Sequence, residues 1–341
     1  MSLLIWRLRR LSRTYNCGIL GLGSSIPEKV LTNFDLEKIV DTSDKWISKR
    51  TGISQRRVLD KDTPAYELGV DAARKALDDA GIKAEELDLI IVATETPDYL
   101  TPSMSCIVQS KLGARKAAAF DLNAACSGFI YGMSVANQFI KTGHYKYVLV
   151  IGCEGLSKIL DWKDRNTCVL FGDGAGAAVF GPVEEEYGVI TTYIGADGEL
   201  GKNLTLPCCF IGPEDVEVRT GDNKKVLWMD GSEVFKFAVR IMEQGANRVL
   251  EDSGLSMEDI KLIIPHQANI RILEGAAKRL KVPKEKVFTN LHKYGNISSA
   301  SIPLGLDEAY REKLFSKGDN LILVGFGGGL TWGSAIIRWN K

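Results

Sequence analysis

The chain repeats itself, and this self-similarity limits its fold more than any other feature of the sequence. The segment DDAGIKAEELDLIIVAT at 78–94 is similar to EDSGLSMEDIKLIIPHQ at 251–267, and YVLVIG at 147–152 is similar to LILVG at 321–325. Both pairs match at a spacing of 173 residues. A repeat at a fixed spacing indicates two copies of one structural unit. Two copies related by a pseudo-twofold axis would bring equivalent turns together at their shared boundary.

Each copy alternates helices with strands, which predicts an α/β fold. An amphipathic helix is expected to start at an N-cap and first turn formed by Thr63 and Pro64, and to stop at Gly81. The apolar run 89–93 has the character of a strand that is buried on both faces. Further helices are predicted at 102–113, 126–142, 232–253, 269–280 and 299–316. Glycine-rich hairpins are predicted at 171–181 and 325–339, and a loop at 197–225.

Three segments are expected along the chain. Residues 1–15 form an N-terminal extension with four arginines and no acidic residue, 16–187 the first half, and 188–341 the second. The extension fits a targeting or membrane-touching segment, a poorly ordered tail or an over-extended start equally well, and its apolar run is too short for a signal peptide. No Pro-rich or Ser-rich linker separates the halves, so one compact unit is expected.

Composition excludes several classes of function. The 43 basic residues balance the 43 acidic ones, so no overall field attracts nucleic acid. The longest apolar stretches are shorter than the roughly 20 residues that a membrane span requires. Seven cysteines without a CxxC pair predict neither a disulfide framework nor a zinc site, and a reducing cytoplasm is the expected compartment.

Cys126 is the candidate nucleophile. It lies where a short apolar strand is followed by a predicted helix, in NAACSGF at 123–129. The helix dipole and the free N–H groups of the first turn favour a thiolate, so the pKa of Cys126 is expected to lie below the usual value of roughly 8.5. The alternative is a small buried apolar side chain, which is the more common role of a lone cysteine and the one expected for the other six.

Two further polar residues lie on equivalent turns in the second half. His266 belongs to PHQAN and Asn296 to YGNISSAS, and in the repeat Asn296 falls nearly opposite Cys126. A Cys, His and Asn set suggests thioester chemistry. The glycine-rich run at 325–329 lacks the Lys-Ser/Thr of a phosphate-binding loop, so its glycines are expected to pass close to a reacting atom and to direct an N–H group at it.

Six motifs in order resemble β-ketoacyl-acyl-carrier-protein synthase III, a condensing enzyme of the thiolase superfamily. The motifs are DTSDKWISKRTGI (41–53), FDLNAACSGF (120–129), FGDGAGA (171–177), PHQANIRI (265–272), YGNISSASIP (294–303) and GFGGGLTWGS (325–334). The resemblance covers nearly the whole chain. It implies a thiolase-like, five-layered αβαβα fold made of two pseudo-twofold related halves, and a homodimer.

The resemblance also implies a mechanism. An acyl-coenzyme A acylates Cys126, and malonyl-acyl-carrier protein then loses its carboxylate and attacks the acyl group to give a 3-ketoacyl-carrier protein, the first step of type II fatty-acid synthesis. His266 and Asn296 donate to the charge that develops on the malonyl thioester. The N–H groups of Cys126 and Gly328 hold the oxyanion, and Phe326 shields the site. No cofactor and no metal is expected.

Binding residues follow from the same resemblance. Trp46 and Arg165 stack on the adenine of coenzyme A, and Thr42, Arg50 and Asn269 line its path. The carrier protein is assigned to Arg271, Lys236 and Gln267. Acyl selectivity is assigned to Thr101, Leu156 and Phe235, with the Thr101 turn reaching toward the partner subunit's acyl pocket.

Three alternatives remain at this point. A Cys-His-Asn hydrolase of the papain type also places a cysteine at a helix N-terminus. A non-catalytic acyl-binding protein would keep the fold without forming an acyl-cysteine. A related condensing enzyme of secondary metabolism, using a coenzyme A ester, shares most of the motifs.

Overall fold

The computed structural model describes residues 15–208 and 225–341. The described strands are β1 Asn16–Ser25, β2 Val30–Thr32, β3 Gln55–Arg57, β4 Leu89–Ala93, β5 Ala118–Leu122, β6 Val148–Gly155, β7 Asp173–Val183, β8 Gly188–Ala196, β9 Leu204–Thr205, β10 Trp228–Met229, β11 Ile260–Pro265, β12 Asn320–Gly327 and β13 Thr331–Arg338. The described α-helices are α1 Asn33–Leu36, α2 Asp44–Thr51, α3 Tyr66–Ala80, α4 Met104–Leu112, α5 Gly128–Lys141, α6 Gly231–Ser253, α7 Ile270–Leu280, α8 Leu291–Tyr294 and α9 Ser301–Arg311.

Two sheets carry the internal repeat. The first has the order β1-β7-β6-β4-β5, and the second has the order β11-β12-β13-β8. In both sheets a parallel pair, β4 with β6 or β11 with β12, continues into two antiparallel pairings. The counterpart of β5 is reduced to one parallel bridge between Ile263 and Val287. The repeat seen in the sequence is therefore a repeat of topology.

Helices and sheets alternate in five layers. Helices α3 and α4 cover the outer face of the first sheet, and α6, with α7 packed on it, covers the outer face of the second. Helices α5 and α9 lie between the sheets, where their apolar faces share one core with both. Because each sheet is covered on both faces, β4, β6 and β12 are buried along their full length. This is the predicted thiolase-like αβαβα arrangement.

Helices are present at all five predicted positions, 102–113, 126–142, 232–253, 269–280 and 299–316; four have shorter bounds, and α6 starts one residue earlier than predicted. The predicted start of α3 is wrong. The helix begins at Tyr66, and neither Thr63 nor Pro64 caps it. The carboxylate of Asp98 instead accepts hydrogen bonds from the free N–H groups of Ala65 and Tyr66, each at 2.9 Å. A cap from a distant loop leaves no local sequence signal. The predicted stop at Gly81 is confirmed, in the left-handed conformation typical of a C-terminal glycine.

One of the two predicted glycine-rich hairpins is wrong. The segment 325–339 forms the hairpin of β12 and β13. The segment 171–181 instead belongs to a single strand, β7, which pairs with β6 on one side and β1 on the other. Its glycines allow close packing: a Cβ at Gly176 would lie 2.6 Å from Leu304 N of α9. The predicted loop at 197–225 includes a 3₁₀ turn at Gly198–Asn203, and residues 209–224 of it lie outside the described residues, as do residues 1–14 of the extension.

Candidate active site

Cys126 lies at the boundary between the two sheets, in a tight turn that leads into α5. The turn is the 3₁₀ segment Ala125–Ser127, and Ala125 has a positive φ of 46°. The end of β12 passes directly over it: a Cβ at Gly327 would lie 2.5 Å from Cys126 N and 3.0 Å from Ala125 Cβ. Only a glycine leaves room for this approach of backbone to backbone.

The expected low pKa of the Cys126 thiol is a wrong prediction. The side chain is 5% exposed, and burial raises the pKa of Cys126 well above its usual range. The negative charge of Glu95 raises the pKa further, and the neighbouring Ser298 hydroxyl lowers it only in part. Desolvation of the thiolate therefore outweighs the helix terminus, which begins two residues later at Gly128. At neutral pH this cysteine is a thiol.

His266 follows β11, and its main-chain N–H donates to Val324 O of β12 at 2.8 Å. The side chain is 1% exposed, and burial lowers the pKa of His266 to about 3. The imidazole is therefore neutral, with one N–H to donate. Both ring nitrogens lack a partner among the described residues, and Phe326 packs edge to face on the ring with centroids 5.5 Å apart.

Asn296 is fixed by hydrogen bonds on three of its groups. Its N–H donates to Leu170 O at 2.8 Å, and its carbonyl accepts from Gly172 N at 3.0 Å. The side-chain Oδ1 accepts from Ser298 N at 2.8 Å. Because the amide oxygen is occupied, Nδ2 is the part of the side chain left to donate to another group.

These three side chains line one cavity of about 950 Å³. Phe326 and Gly327 line it as well, whereas Gly328, predicted as an oxyanion donor, lies one residue further along the turn. The segments carrying Cys126 and His266 meet at β12: a Cβ at Gly325 would lie 3.4 Å from His266 Cβ and 3.6 Å from Cys126 O. The pseudo-symmetric halves thus bring turns from distant parts of the chain to one pocket.

The mouth of the cavity is cationic and aromatic. The guanidinium groups of Arg50 and Arg165 lie 4.8 Å and 5.3 Å from the ring centre of Trp46. Arg165 also donates to Asp41 O at 3.0 Å. Arg271 lies over Phe235 at 5.7 Å, and both line the cavity.

Several predicted binding residues have other roles or positions. Gln267 is a correction: it is 1% exposed, and its amide bonds Pro265 O, Phe288 O and Asn290 N, so it cannot contact a carrier protein. Asn269 lines the cavity but also caps α7 by accepting from Arg271 N at 2.9 Å.

Of the remaining predicted binding residues, three do not line the cavity and one lines it at its exposed edge. Thr42 does not line the cavity, and Leu156 lies behind it in a small apolar cluster with Phe171. Thr101 is exposed and lies away from the cavity of its own chain. Lys236 is exposed at the rim, and its ammonium pairs with Glu233 at 2.7 Å.

Sequence reasoning missed a pair of carboxylates beside the thiol. Glu154 lies within the fully buried strand β6, and Glu95 follows β4 and lines the cavity. The main-chain N–H of Glu95 donates to Glu154 Oε2 at 3.2 Å. An acidic residue at the end of an otherwise apolar strand, as in VLVIGCEG, is the signal that could have found them, because a buried charge needs a specific partner.

The part of the chain that the structure describes contains neither a metal-binding cluster nor a membrane-spanning helix. No group of three or more His, Cys, Asp or Glu side chains there is arranged to hold a metal ion. No described helix is long and apolar enough to cross a membrane.

A buried thiol, a neutral imidazole and a carboxamide that converge between two thiolase-like halves define a thiolase-type acyl-transferring enzyme. Family models for 3-oxoacyl-[acyl-carrier-protein] synthase III match residues 120–198, and those for its C-terminal part match 250–339. The chain is 56% identical over 324 residues to the beta-ketoacyl-[acyl-carrier-protein] synthase III of Caldanaerobacter subterraneus subsp. tengcongensis, covering 95% of this chain and 98% of the relative. It is 54% identical over 324 residues to the protein of that name from Clostridium acetobutylicum, with the same coverage.

Solved structures agree with the sequence relatives. The 3-oxoacyl-[acyl-carrier-protein] synthase III of Aquifex aeolicus superposes with a TM-score of 0.88 at 48% identity, covering 95% of this chain and 100% of that one. The priming β-ketosynthase of the R1128 polyketide pathway superposes with a TM-score of 0.90 at 35% identity, covering 96% and 98%. The chain belongs to the β-ketoacyl-acyl-carrier-protein synthase III family, and it is an acyltransferase.

Proposed function

We propose that the chain condenses an acyl-coenzyme A primer with malonyl-acyl-carrier protein and so initiates type II fatty-acid synthesis, with Cys126 as the acylated residue and no cofactor. The observation that carries the proposal is the single cavity that joins Cys126, His266 and Asn296 to the cationic, aromatic mouth around Trp46. The names of the relatives at 51–56% identity point to the same reaction.

Acyl transfer is the first half-reaction. The sulfur of Cys126 attacks the thioester carbon, and the charge that develops on the carbonyl oxygen needs donors that are already in place. The N–H group of Cys126 and one from the glycine turn at 327–328, whose backbone passes close to Cys126 N, can serve as these donors. Gly328, assigned by resemblance, stays a prediction.

Decarboxylative condensation is the second half-reaction. Loss of carbon dioxide from the malonyl group places negative charge on its thioester oxygen. A neutral His266 and the Asn296 amide can both donate to that oxygen without carrying a charge of their own. Phe326 packs on the imidazole and keeps water from it, which favours decarboxylation over hydrolysis.

The mouth fits the nucleotide end of coenzyme A. Guanidinium groups at Arg50 and Arg165 suit phosphate oxygens, and Trp46 offers a flat face for adenine. Arg271 and Lys236, which are exposed and also line the cavity, offer positive charge to an acidic carrier protein. We propose that the protein works as a cytoplasmic homodimer in which the Thr101 turn contributes to the partner subunit's acyl pocket.

A mass measurement tests the proposal. Incubation with acetyl-, isobutyryl- and octanoyl-coenzyme A should add the mass of one acyl group, located at Cys126 by peptide mapping. Addition of malonyl-acyl-carrier protein should then remove the label and yield 3-ketoacyl-carrier protein. Release of free acid without a condensation product would favour a hydrolase, and no adduct at all would favour a non-catalytic acyl-binding protein.

A primer synthase of secondary metabolism is the second candidate, and it is favoured by the likeness to the R1128 priming β-ketosynthase. The two functions share their chemistry and differ in the carrier protein that they serve. Comparing kcat/KM for the carrier proteins of fatty-acid and polyketide synthesis separates them. Preference for the fatty-acid carrier supports the first candidate.

A further inference from the structure

Glu95 and Glu154 form a carboxylate pair beside the nucleophile that the reaction outlined above leaves unused. Glu154 is fully buried, and its Oε2 contacts Thr96 Oγ1 at 2.6 Å and Thr94 Oγ1 at 3.2 Å. The backbone of Glu95 is bonded to the same carboxylate, and its side chain faces the cavity. Burial and the charge of Glu95 raise the pKa of Glu154 to about 8, so the pair keeps one proton near neutral pH.

The hydrogen bonds of the Ser299 hydroxyl indicate that this proton lies on Glu154. Ser299 Oγ lies 2.8 Å from the Ala93 carbonyl oxygen and 2.6 Å from Glu154 Oε1. A hydroxyl has one proton, and a carbonyl oxygen only accepts. Both contacts are hydrogen bonds only when Ser299 donates to Ala93 O and the protonated Glu154 donates to Ser299. Glu95 is then the carboxylate of the pair.

Ser298 connects that carboxylate to the thiol. Its Oγ donates to Glu95 Oε1 at 2.5 Å, and the turn that Ser298 begins, Ser298–Ala300, packs against the turn Ala125–Ser127 that carries the thiol. Ser298 is fully buried and has a positive φ of 44°, a backbone conformation stabilised by the hydrogen bond from its N–H to Asn296 Oδ1. A serine that donates to a carboxylate can accept from a thiol, so the three groups form a continuous path for a proton.

We propose that Glu95 accepts the proton of Cys126 through the Ser298 hydroxyl during acyl transfer. As the bond from Cys126 Sγ to the acyl carbon forms, the thiol proton moves to Ser298 Oγ and the serine proton moves to Glu95 Oε1. The bond from the acyl carbon to the coenzyme A sulfur breaks, and that sulfur takes its proton from solvent at the open mouth. In condensation the new carbon–carbon bond forms, the bond from the acyl carbon to Sγ breaks, and Glu95 returns its proton through Ser298 to Sγ.

The surrounding charges agree with this direction of transfer. Burial raises the pKa of Cys126 well above its usual range, so the thiol needs a base at neutral pH. Burial also raises the pKa of Glu95, and burial together with the charge of Glu95 raises the pKa of Glu154 to about 8. The other titratable groups nearby are neutral: burial keeps Cys153 of β6 a thiol and His266 an uncharged imidazole.

The inference rests on the proposed acylation of Cys126, and single-turnover acyl transfer tests it across pH 5.5 to 9.5. The acylated fraction is measured by intact mass after quenching at timed intervals. The proteins compared are the wild type, Glu95→Gln, Ser298→Ala and Glu154→Gln. For Glu95→Gln and Ser298→Ala we expect a loss of about 10²-fold at pH 6, the usual scale for general-base catalysis. The loss should shrink about tenfold per pH unit, because without the base the rate follows the thiolate fraction. The double variant should be no slower than either single one.

Glu154→Gln is the matched comparison. A glutamine amide can donate to Ser299 as the protonated carboxyl does, so this variant should keep the flat pH profile of the wild type. Condensation started from pre-acylated Glu95→Gln should be slower than in the wild type as well, because the departing sulfur then lacks the proton that Glu95 returns to it.

A purely electrostatic role gives a different result. Removing the charge of Glu95 would then lower the pKa of Cys126 and speed acyl transfer, so a Glu95→Gln rate equal to or above the wild-type rate overturns the inference. A loss that is the same at every pH, or a Glu154→Gln profile like that of Glu95→Gln, also overturns it. Acylation at a residue other than Cys126 would instead contradict the proposed function itself.

Discussion

At the residue scale, burial leaves the two central groups of the site uncharged by shifting their pKa values in opposite directions. It raises the pKa of the Cys126 thiol and lowers that of the His266 imidazole to about 3. A neutral histidine can donate a hydrogen bond to developing negative charge at any pH well above 3, and it does not attract the malonyl carboxylate.

The depressed pKa of His266 has a consequence for stability. Below its ordinary pKa of about 6.5 the unfolded chain binds a proton that the folded protein does not, so the free energy of unfolding falls as pH falls, down to about pH 3. At pH 5 the loss from this group is about 2 kcal/mol relative to pH 7. In His266→Gln this part of the slope should be absent, as measured by urea unfolding at pH 7, 6 and 5. Parallel curves for the two proteins would contradict it.

The three polar groups should divide the reaction between them. Cys126→Ala should form no acyl-enzyme, whereas His266→Ala and Asn296→Ala should still be acylated but lose decarboxylative condensation by about 10²-fold or more, since each removes a donor to the malonyl thioester. Single-turnover acylation and release of carbon dioxide measure the two steps. Equal loss of acylation in all three variants would show that the roles are not separate.

Sequence motifs predicted the identity of Cys126, His266 and Asn296 but not their electrostatics. The low pKa expected for Cys126 came from local helix geometry, whereas its actual surroundings include Glu95 and Ser298, 31 residues before it and 172 after it. Desolvation depends on what packs over a group, and that information is in the tertiary structure alone. Glu154 does leave a local signal, an acidic residue in an otherwise apolar strand, but its pairing with Glu95 is visible only in the tertiary structure.

At the scale of elements, the close passage of β12 over the nucleophile turn is a tight geometric constraint. Gly327→Ala would place a Cβ 2.5 Å from Cys126 N, and backbone cannot yield as a flexible side chain does. We expect acyl transfer to fall by 10² or more, the scale for a displaced reactive group, while the fold persists. Gly198→Ala is the matched control, since nothing lies within 4 Å of a Cβ there. Intact-mass acylation rates and melting temperatures of both variants test this, and a fully active Gly327→Ala would contradict it.

Local sequence patterns predicted which helices and strands exist better than they predicted how the strands pair. Helices and apolar strands were found because their patterns are local, and the hairpin at 325–339 was found because a short glycine turn joins its strands. The segment 171–181 has the same composition, yet it forms the long strand β7 because its partners β1 and β6 lie far from it in sequence. Local glycine content cannot distinguish these two cases.

At the scale of the whole molecule, a net charge of zero leaves carrier-protein recognition to local patches. Arg271 is exposed and pairs with no carboxylate among the described residues, whereas Arg279, two turns further along α7, is paired with Glu243 at 2.8 Å. Arg271→Glu should therefore reduce kcat/KM for malonyl-acyl-carrier protein by about tenfold or more at low salt. The effect should shrink as salt rises, with little change in acylation by coenzyme A esters.

Arg279→Gln serves as the control for the same helix and should change kcat/KM for the carrier protein much less. Steady-state rates at several ionic strengths measure both. An Arg271→Glu variant that loses reaction with both substrates equally at every salt concentration would assign this arginine to coenzyme A or to folding.

We propose that acyl-chain selectivity depends in part on the partner subunit. Thr101 is exposed and distant from the cavity of its own chain, and in the homodimer proposed above its turn lies at the partner subunit's acyl pocket. Threonine fills less space than phenylalanine, so wild-type protein should accept isobutyryl- and octanoyl-coenzyme A beside the acetyl ester. Thr101→Phe should shift the preference toward acetyl by roughly 1 to 3 kcal/mol in transition-state free energy, the scale for steric discrimination in an apolar pocket.

Leu156→Phe is the comparison within one subunit, since Leu156 is fully buried behind the cavity. Ratios of kcat/KM for the three esters in the wild type, Thr101→Phe and Leu156→Phe show which substitution changes the chain-length preference. Sedimentation verifies that each protein is a dimer. Unchanged ratios in a dimeric Thr101→Phe protein would remove Thr101 from chain-length selection.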